Sequence, residues 1–404
     1  MNICMFILRY YPYPEGGAER QCRKLIKEFE KRGNTCSVVT AWDFGVRPKR
    51  DRDGATDIHR FGIMGLFKKK PKENRVSGNH QQQGVSNAGK SLVKRIRFWF
   101  VYSLIWFHRL FLLIEVILHI TRHKRSIDVI HIHEAQWFAG FGFWLGHLFN
   151  IPAVCKEAIL PVRVGLRSSV VPGSRNWCEW GKRGNYIAMH EGIRSALVEK
   201  GIPDEKIFVI PNGVTLPAKT ASTQNSMKVV YVGNFTQGAE HKAFDIIIKA
   251  WSIVHQRLPS AKLIMVGGGD YECWEMMAED LGCGSSITFE GPQQDVDAYY
   301  SSATIHILPS RKEGLSNALL EAQSHGLASV VSDIPGNRAV VRHGVNGLIV
   351  PVSDVAGFAT ALEGMLCDHE GCQRMGKNSR RIMEEHFSIQ AIVDQLLTCY
   401  KRSL

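Results

Sequence analysis

The chain has 404 residues, 45% of them hydrophobic and 22% charged, which excludes collagen-like, coiled-coil and wholly disordered classes and is enough for two core-bearing domains. The formal charge is +12, yet from Arg47 to Arg125 there are 18 Lys and Arg against five Asp and Glu, so one segment carries the whole excess and should meet an anionic surface or substrate. Ten cysteines without a C-x-x-C pair argue for reduced thiols in a cytosol, against disulfides or zinc.

The first residues, Met1 to Leu8, lack a basic leader and are read as the start of the fold. A strand from Ile3 to Tyr10 precedes a helix from about Ala18 to Lys31. Further strands are expected at Val38-Val39, Asp128 to His133, Ala153-Val154, Tyr186 to Ala188 and Ile207 to Ile210. Periodicity lapses in a Thr, Ser, Pro and Ala stretch ending near Ser226. This divides the chain into a first domain, 1–218, a second, 226–385, and a closing helix, 386–404. The second half runs through strands at Val229 to Val232, Leu263 to Val266, Ile287 to Phe289, Ile305 to Leu308 and Ser329 to Val331. Alternation of this kind makes two doubly wound α/β domains facing across a cleft, with ligands at the carboxyl ends of the strands.

An insertion at about 45–125 interrupts the first domain. Residues 68–91 are basic, Gln-rich and Gly-rich, and are expected to form a mobile excursion. Residues 98–120 are apolar nearly all round and flanked by Lys94, Arg95, Arg97, Arg122, Lys124 and Arg125. Four polar interruptions, His108, Arg109, Glu115 and His119, argue against a span, as does the need to keep one sheet on one side of a bilayer. The expectation is an interfacial helix on an anionic membrane surface.

Several motifs compete for the function. Gly84-Val85-Ser86-Asn87-Ala88-Gly89-Lys90-Ser91 spells a phosphate loop, but the polar Ser77 to Gln83 before it offers no strand to deliver it. Gly267-Gly268-Gly269 follows a strand, yet Glu272 stands where a dinucleotide fingerprint needs glycine. Asp295-Val296-Asp297 opens a helix and reads as a cap, and no catalytic metal is expected. His131 and His133 are assigned to opposite faces of their strand, one buried and one exposed, so that a shared metal is not expected.

The stronger signal is double. Gly16-Gly17 links the first strand to the first helix, where backbone amides can approach an anion. In the second half, Pro309-Ser310-Arg311-Lys312-Glu313-Gly314-Leu315-Ser316-Asn317 leads from a strand into a helix bearing Glu321. Two carboxylates beside an amide-lined anion site suit hydroxyls next to a phosphate.

These blocks, with Asp128 to His133, Ile210 to Val214, Val232-Gly233-Asn234 and Ser332 to Asn337, resemble the retaining GT-B glycosyltransferases of glycosyltransferase family 4 over most of the chain outside about 45–125. The resemblance implies a UDP-, GDP- or similar nucleotide-sugar donor, no other cofactor, and transfer to a hydroxyl with retention. It implies Glu313 near the transferred sugar, Glu321 on the ribose, Lys242 on the leaving diphosphate and His133 near the acceptor. Gly16, Gly17, Asn234, Leu315, Ser316 and Asn317 would complete the nucleotide site. Asn234 departs from the family, where arginine is common, and His241 or Arg311 could replace the lost cation. Lys156-Glu157 could touch the acceptor, a glycan or lipid-linked glycan. With the basic helix, the implied setting is envelope or exopolysaccharide assembly on the cytoplasmic face of the membrane. The rival readings are a P-loop nucleotide hydrolase using Lys90 and Ser91, and a sugar-nucleotide-binding protein that has lost catalysis; no motif supports nucleic acid.

Overall fold

In the computed structural model the described residues are 1–11, 16–42, 48–64, 87–133, 137–164, 171–220, 227–235 and 240–403, without the side chains of 87–98 and 100. Residues 68–86 of the excursion, with the first three residues of the phosphate-loop look-alike, therefore lie outside the description, while its last five, 87–91, are helical and not the mobile excursion expected.

Two sheets carry the chain. The first is built from β1 (Asn2–Phe6), β2 (Thr35–Ala41), β3 (Arg50–Asp53), β4 (Thr56–Phe61), β5 (Val129–His133), β6 (Ala153–Glu157), β7 (Asn185–Ala188) and β8 (Ile207–Val209), in the order β3-β4-β2-β1-β5-β6-β7-β8. The second holds β9 (Lys228–Val232), β10 (Lys262–Val266), β11 (Ile287–Phe289), β12 (Ile305–Leu308), β13 (Ala328–Ser332) and β14 (Gly347–Val350), ordered β11-β10-β9-β12-β13-β14. Every pairing is parallel except β3 with β4. Strand order reverses beside β1 and beside β9, and at such switch points the carboxyl ends splay to leave a crevice. The fold is GT-B: two Rossmann-like sheets with the crevice between them.

The insertion differs from the sequence expectation. Residues 50–61 form a hairpin that extends the first sheet, with Arg50 opposite His59 and β4 parallel to β2. Charged residues on β3 obscure its strand character, and they are tolerated because this edge strand pairs only with β4 and buries neither face.

Helix α1 (Gly17–Lys31) forms because Cys22, Leu25, Ile26 and Phe29 recur at helical spacing and are buried, and Gly33, at φ +73°, ends it. Helix α2 (Asn87–His123) is longer than the apolar run that announces it. Leu112, Leu113, Val116 and Ile120 bury one side of it, while Phe107, Phe111, Ile114 and Leu118 stay exposed on the other.

The last helix, Ile389–Ser403, leaves the second sheet and packs on the first. Its Ile389, Ile392, Val393, Leu396, Cys399 and Tyr400 share a core with Ile3, Met5, Leu25 and Phe29. Tyr400 also hydrogen-bonds His131 Nδ1, and Arg32 donates to the Gln390 carbonyl at 2.8 Å.

Candidate active site

The carboxyl ends of the strands around both switch points open on one cleft of about 380 Å³. Into it project Gly16 and Gly17 from the start of α1, Asn234 beyond β9, Lys242, and Glu313, Leu315, Ser316, Asn317 and Glu321 beyond β12. All nine are residues that the sequence selects. The tenth, His133, lines an adjoining cavity of about 250 Å³ that shares Gly17, Glu313, Leu315 and Asn317 with the cleft. A wider cavity of about 550 Å³ lies at the amino ends of β6 and β7, where none of these residues converges.

Local structure aims each group. Ser316 caps the helix Asn317–Ser324 by accepting the Leu319 N–H at 3.4 Å, and the remaining first-turn amides open toward the cleft. Lys242 ends a 3-10 turn just ahead of the helix Phe244–Arg257, with Ala243 left-handed at φ +59° between them. Its ammonium pairs with Glu313, whose carboxylate also accepts the Ser310 hydroxyl at 3.2 Å. Gly314 must be glycine, because a Cβ there would lie 1.8 Å from the Ala158 carbonyl across the cleft.

The two halves are laced together at the same place. Lys24 of α1 donates to Glu321 at 2.8 Å. Gln21 donates to Asn317 Oδ1 at 2.9 Å, and the same oxygen accepts Asn212 at 3.0 Å. Asn317 in turn donates to the Gly17 carbonyl at 3.2 Å. Lys156, 5% exposed, reaches Asn212 Oδ1 at 2.7 Å, and burial pulls its pKa down to about 8.

Three expectations need correction. His131 and His133 are both buried, at 0% and 3% exposure, with rings stacked 4.5 Å apart. Residues i and i+2 of a strand share a face, so the assignment to opposite faces fails. Burial and the nearby Lys156 charge push the pKa of His133 down to about 3, so it is a neutral imidazole, and its Nε2 has no hydrogen-bond partner among the described residues.

Arg311 does not replace the missing arginine: its guanidinium is held by Asp245 at 2.8 and 3.0 Å and by the Glu240 carbonyl. His241 does not line the cleft either. Arg20 does, from the opposite wall, and its side chain has no hydrogen bond or ion pair among the described residues. Asn234 instead accepts the Gly268 N–H at 3.2 Å and tethers the neighbouring loop.

Of the Lys156-Glu157 pair only Lys156 faces the smaller cavity. Glu157 is tied to the N–H groups of Ala158, Ile159 and Arg163. The Asp295 carboxylate caps the turn at Asp297 N–H, 2.9 Å away. Sequence reading passes over Arg20, Gln21 and Lys24, although a signal exists: they follow Gly17 at i+3, i+4 and i+7, on the face of α1 that carries the glycine pair.

Family models match nearly the whole chain. Residues 15–216 match Glycosyltransferase Family 4 and residues 226–368 match Glycosyl transferases group 1. This chain belongs to glycosyltransferase family 4. A D-inositol 3-phosphate glycosyltransferase of Mycobacterium ulcerans is 30% identical to this family 4 chain over 69% of its length and 64% of its own. An Escherichia coli enzyme named UDP-Gal:alpha-D-GlcNAc-diphosphoundecaprenol alpha-1,3-galactosyltransferase is 28% identical over 53% of the chain and 59% of its own length. The family 4 chain spans about half the length of several curated relatives that it matches. Among solved structures, Anabaena HepE in complex with UDP superposes with a TM-score of 0.70 at 15% identity, covering 100% of both chains.

Proposed function

We propose that the protein transfers a sugar from a nucleoside-diphosphate donor to a hydroxyl, with retention of anomeric configuration. The observation that carries this reading is the meeting of nine sequence-selected residues on one cleft, with Lys242 beside Glu313 in front of a capped helix N-terminus. Glu321 takes the ribose hydroxyls, and Glu313 orients the sugar. Lys242, the Gly16 and Gly17 backbone and the amides after Ser316 hold the leaving diphosphate, and Arg20 supplies the second cation that Asn234 does not. Helix amides and cations aimed at a developing diphosphate stabilise its charge without reorganisation, so no protein nucleophile is needed. Neutral His133, whose Nε2 has no partner among the described residues and which lines the smaller cavity, hydrogen-bonds the acceptor or the transferred sugar.

The donor site must be uncovered first, because Lys24 and Lys242 occupy the two carboxylates. Parting of the halves around 212–226, of which 221–226 lie outside the described residues, frees Glu321 from Lys24; the donor displaces Lys242 from Glu313 within the second half, and reclosure brings Gly16-Gly17 over the phosphates. HepE was solved with UDP, with UDP and glucose, and with UDP-glucose, which supports a uridine diphosphate donor. The Escherichia coli relative's name supports a lipid-linked acceptor. Within Val101–Ser126, the second half of α2 and the turn after it, an 18-residue window of mean hydropathy 1.8 passes the length and composition test for a membrane span. Packed on the first sheet along one side, α2 instead lies in the interface and holds the enzyme on the cytoplasmic face, in envelope or exopolysaccharide assembly.

The test is thermal denaturation with UDP, GDP, ADP and their sugar conjugates. One nucleotide should raise the melting temperature by a few degrees, about the shift that a ligand at a hundredfold its Kd gives a domain of this size, and Glu321→Ala should abolish that shift. A response to ATP alone, lost in Lys90→Ala, would replace this reading with a nucleotide hydrolase.

A further inference from the structure

On α2 the exposed Phe107, Phe111, Ile114 and Leu118 recur at i, i+4, i+7 and i+11, one apolar stripe along the helix. Leu118 ends the stripe at an open cavity of about 270 Å³ between α2 and the β3–β4 hairpin. Arg50, His59, His119, Arg122 and His123 wall this cavity. Two further cations at its edge are already matched, Lys49 by Glu115 and buried Arg60 by Asp51 at 3.1 Å. Arg50 and Arg122 have no ion pair and no side-chain hydrogen bond among the described residues.

The imidazoles are packed together, His119 lying 4.4 Å from His59 and 4.6 Å from His123, ring centre to ring centre. Burial, then the neighbouring cations, pushes the pKa of His119 down to about 3. Burial also lowers His59, against the pull of Asp57. A neutral imidazole still offers one N–H donor. Three histidines invite a metal, but two unmatched guanidiniums beside them oppose a cation, and among the described residues no His, Cys, Asp and Glu group is placed to hold one. Forked guanidiniums with added N–H donors are the chemistry of phosphate recognition.

We propose that this cavity binds the phosphate of an anionic lipid, whose hydrocarbon lies along the Phe107 to Leu118 stripe. The stripe selects the lipid over free phosphate, since it continues the cavity wall with apolar surface that only an amphiphile would cover. The inference rests on the reading of α2 as an interfacial helix, and adds to it a defined headgroup site.

Sedimentation of the full chain with phosphatidylcholine vesicles, and with vesicles also containing phosphatidic acid, tests it. Binding should require phosphatidic acid and should weaken about twenty-fivefold in the double variant Arg50→Gln/Arg122→Gln, each basic side chain being worth a factor of about five at such a surface. Arg374→Gln/Lys377→Gln, removing equal charge from an exposed helix of the second half, should change binding less than twofold, and millimolar inorganic phosphate should not displace the vesicles. An unchanged melting temperature and nucleotide response would show that the variants fold. Equal losses in both doubles would reduce the effect to net charge, and displacement by inorganic phosphate would make this a free-phosphate site; either overturns the proposal. Binding kept in Arg50→Gln/Arg122→Gln but lost in Phe111→Asp would remove the headgroup site and leave the interfacial helix standing. Absence of wild-type binding would remove both.

Discussion

The cleft between the sheets and the cavity under α2 are both rich in cations, and they treat them oppositely. In the cleft Lys24 answers Glu321 and Lys242 answers Glu313, so apart from Arg20 its charge is cancelled at rest. Under α2, Arg50 and Arg122 stand unmatched by any described residue. A self-cancelled site stays closed and acquires its field only when a ligand displaces the internal partner. An unmatched site keeps a permanent field that attracts anions before contact. The first arrangement suits a step that must be gated, the second a docking that should be constant.

Removing a cation from the cleft therefore breaks the comparison hardest. Lys242→Ala should lower the transfer rate by about a hundredfold or more, the usual cost of losing one preorganised charge stabiliser, with a smaller change in donor KM. Loss of KM alone would make Lys242 a binding residue only. Arg20→Gln should cost about tenfold, half of the charge stabilisation in logarithmic terms, because its wall is more exposed. Steady-state kinetics on the two variants and their double would show whether they act on the same diphosphate, through non-additivity. Lys24→Met sharpens the comparison by removing only the internal partner: UDP should bind about two- to fivefold more tightly, since a partly exposed pair is worth about 1 kcal/mol or less, and titration calorimetry would read the change. Weaker binding would mean that Lys24 serves the ligand.

The smallest effect is on pH. The pKa of Lys156 is about 8 in the fold and about 10.4 in the unfolded chain. Between those values the unfolded state holds the extra proton, so the native state gains stability as pH rises through the window. Against Lys156→Met, the melting temperature of the parent should climb from pH 8 to pH 10; parallel curves would show that Lys156 is not held in the low-dielectric setting described.

Much of this was legible in the residues because the physics is local. Parallel strands buried on both faces read as short apolar runs, and the Glu313 to Glu321 block carries its own cap and helix. Illegible features depend on partners far along the chain. The β3–β4 hairpin hides in charge because it sits at an edge, and Arg20 gains meaning only when the second sheet is placed opposite α1. The paired histidines share one face of β5, as residues i and i+2 of a strand must, and both are buried there.

The closing helix has a consequence for biosynthesis. Six of its side chains complete the core around β1 and α1, the four aliphatic ones each worth about 1.5 to 3 kcal/mol when buried. A ribosome delivers this segment after the whole second half, so the first half must wait with that face bare while the second folds. Chaperone capture during translation should therefore fall on residues 1–60, and shortening the chain before Ile389 should expose the first half to protease while the sheet next to it in sequence stays resistant.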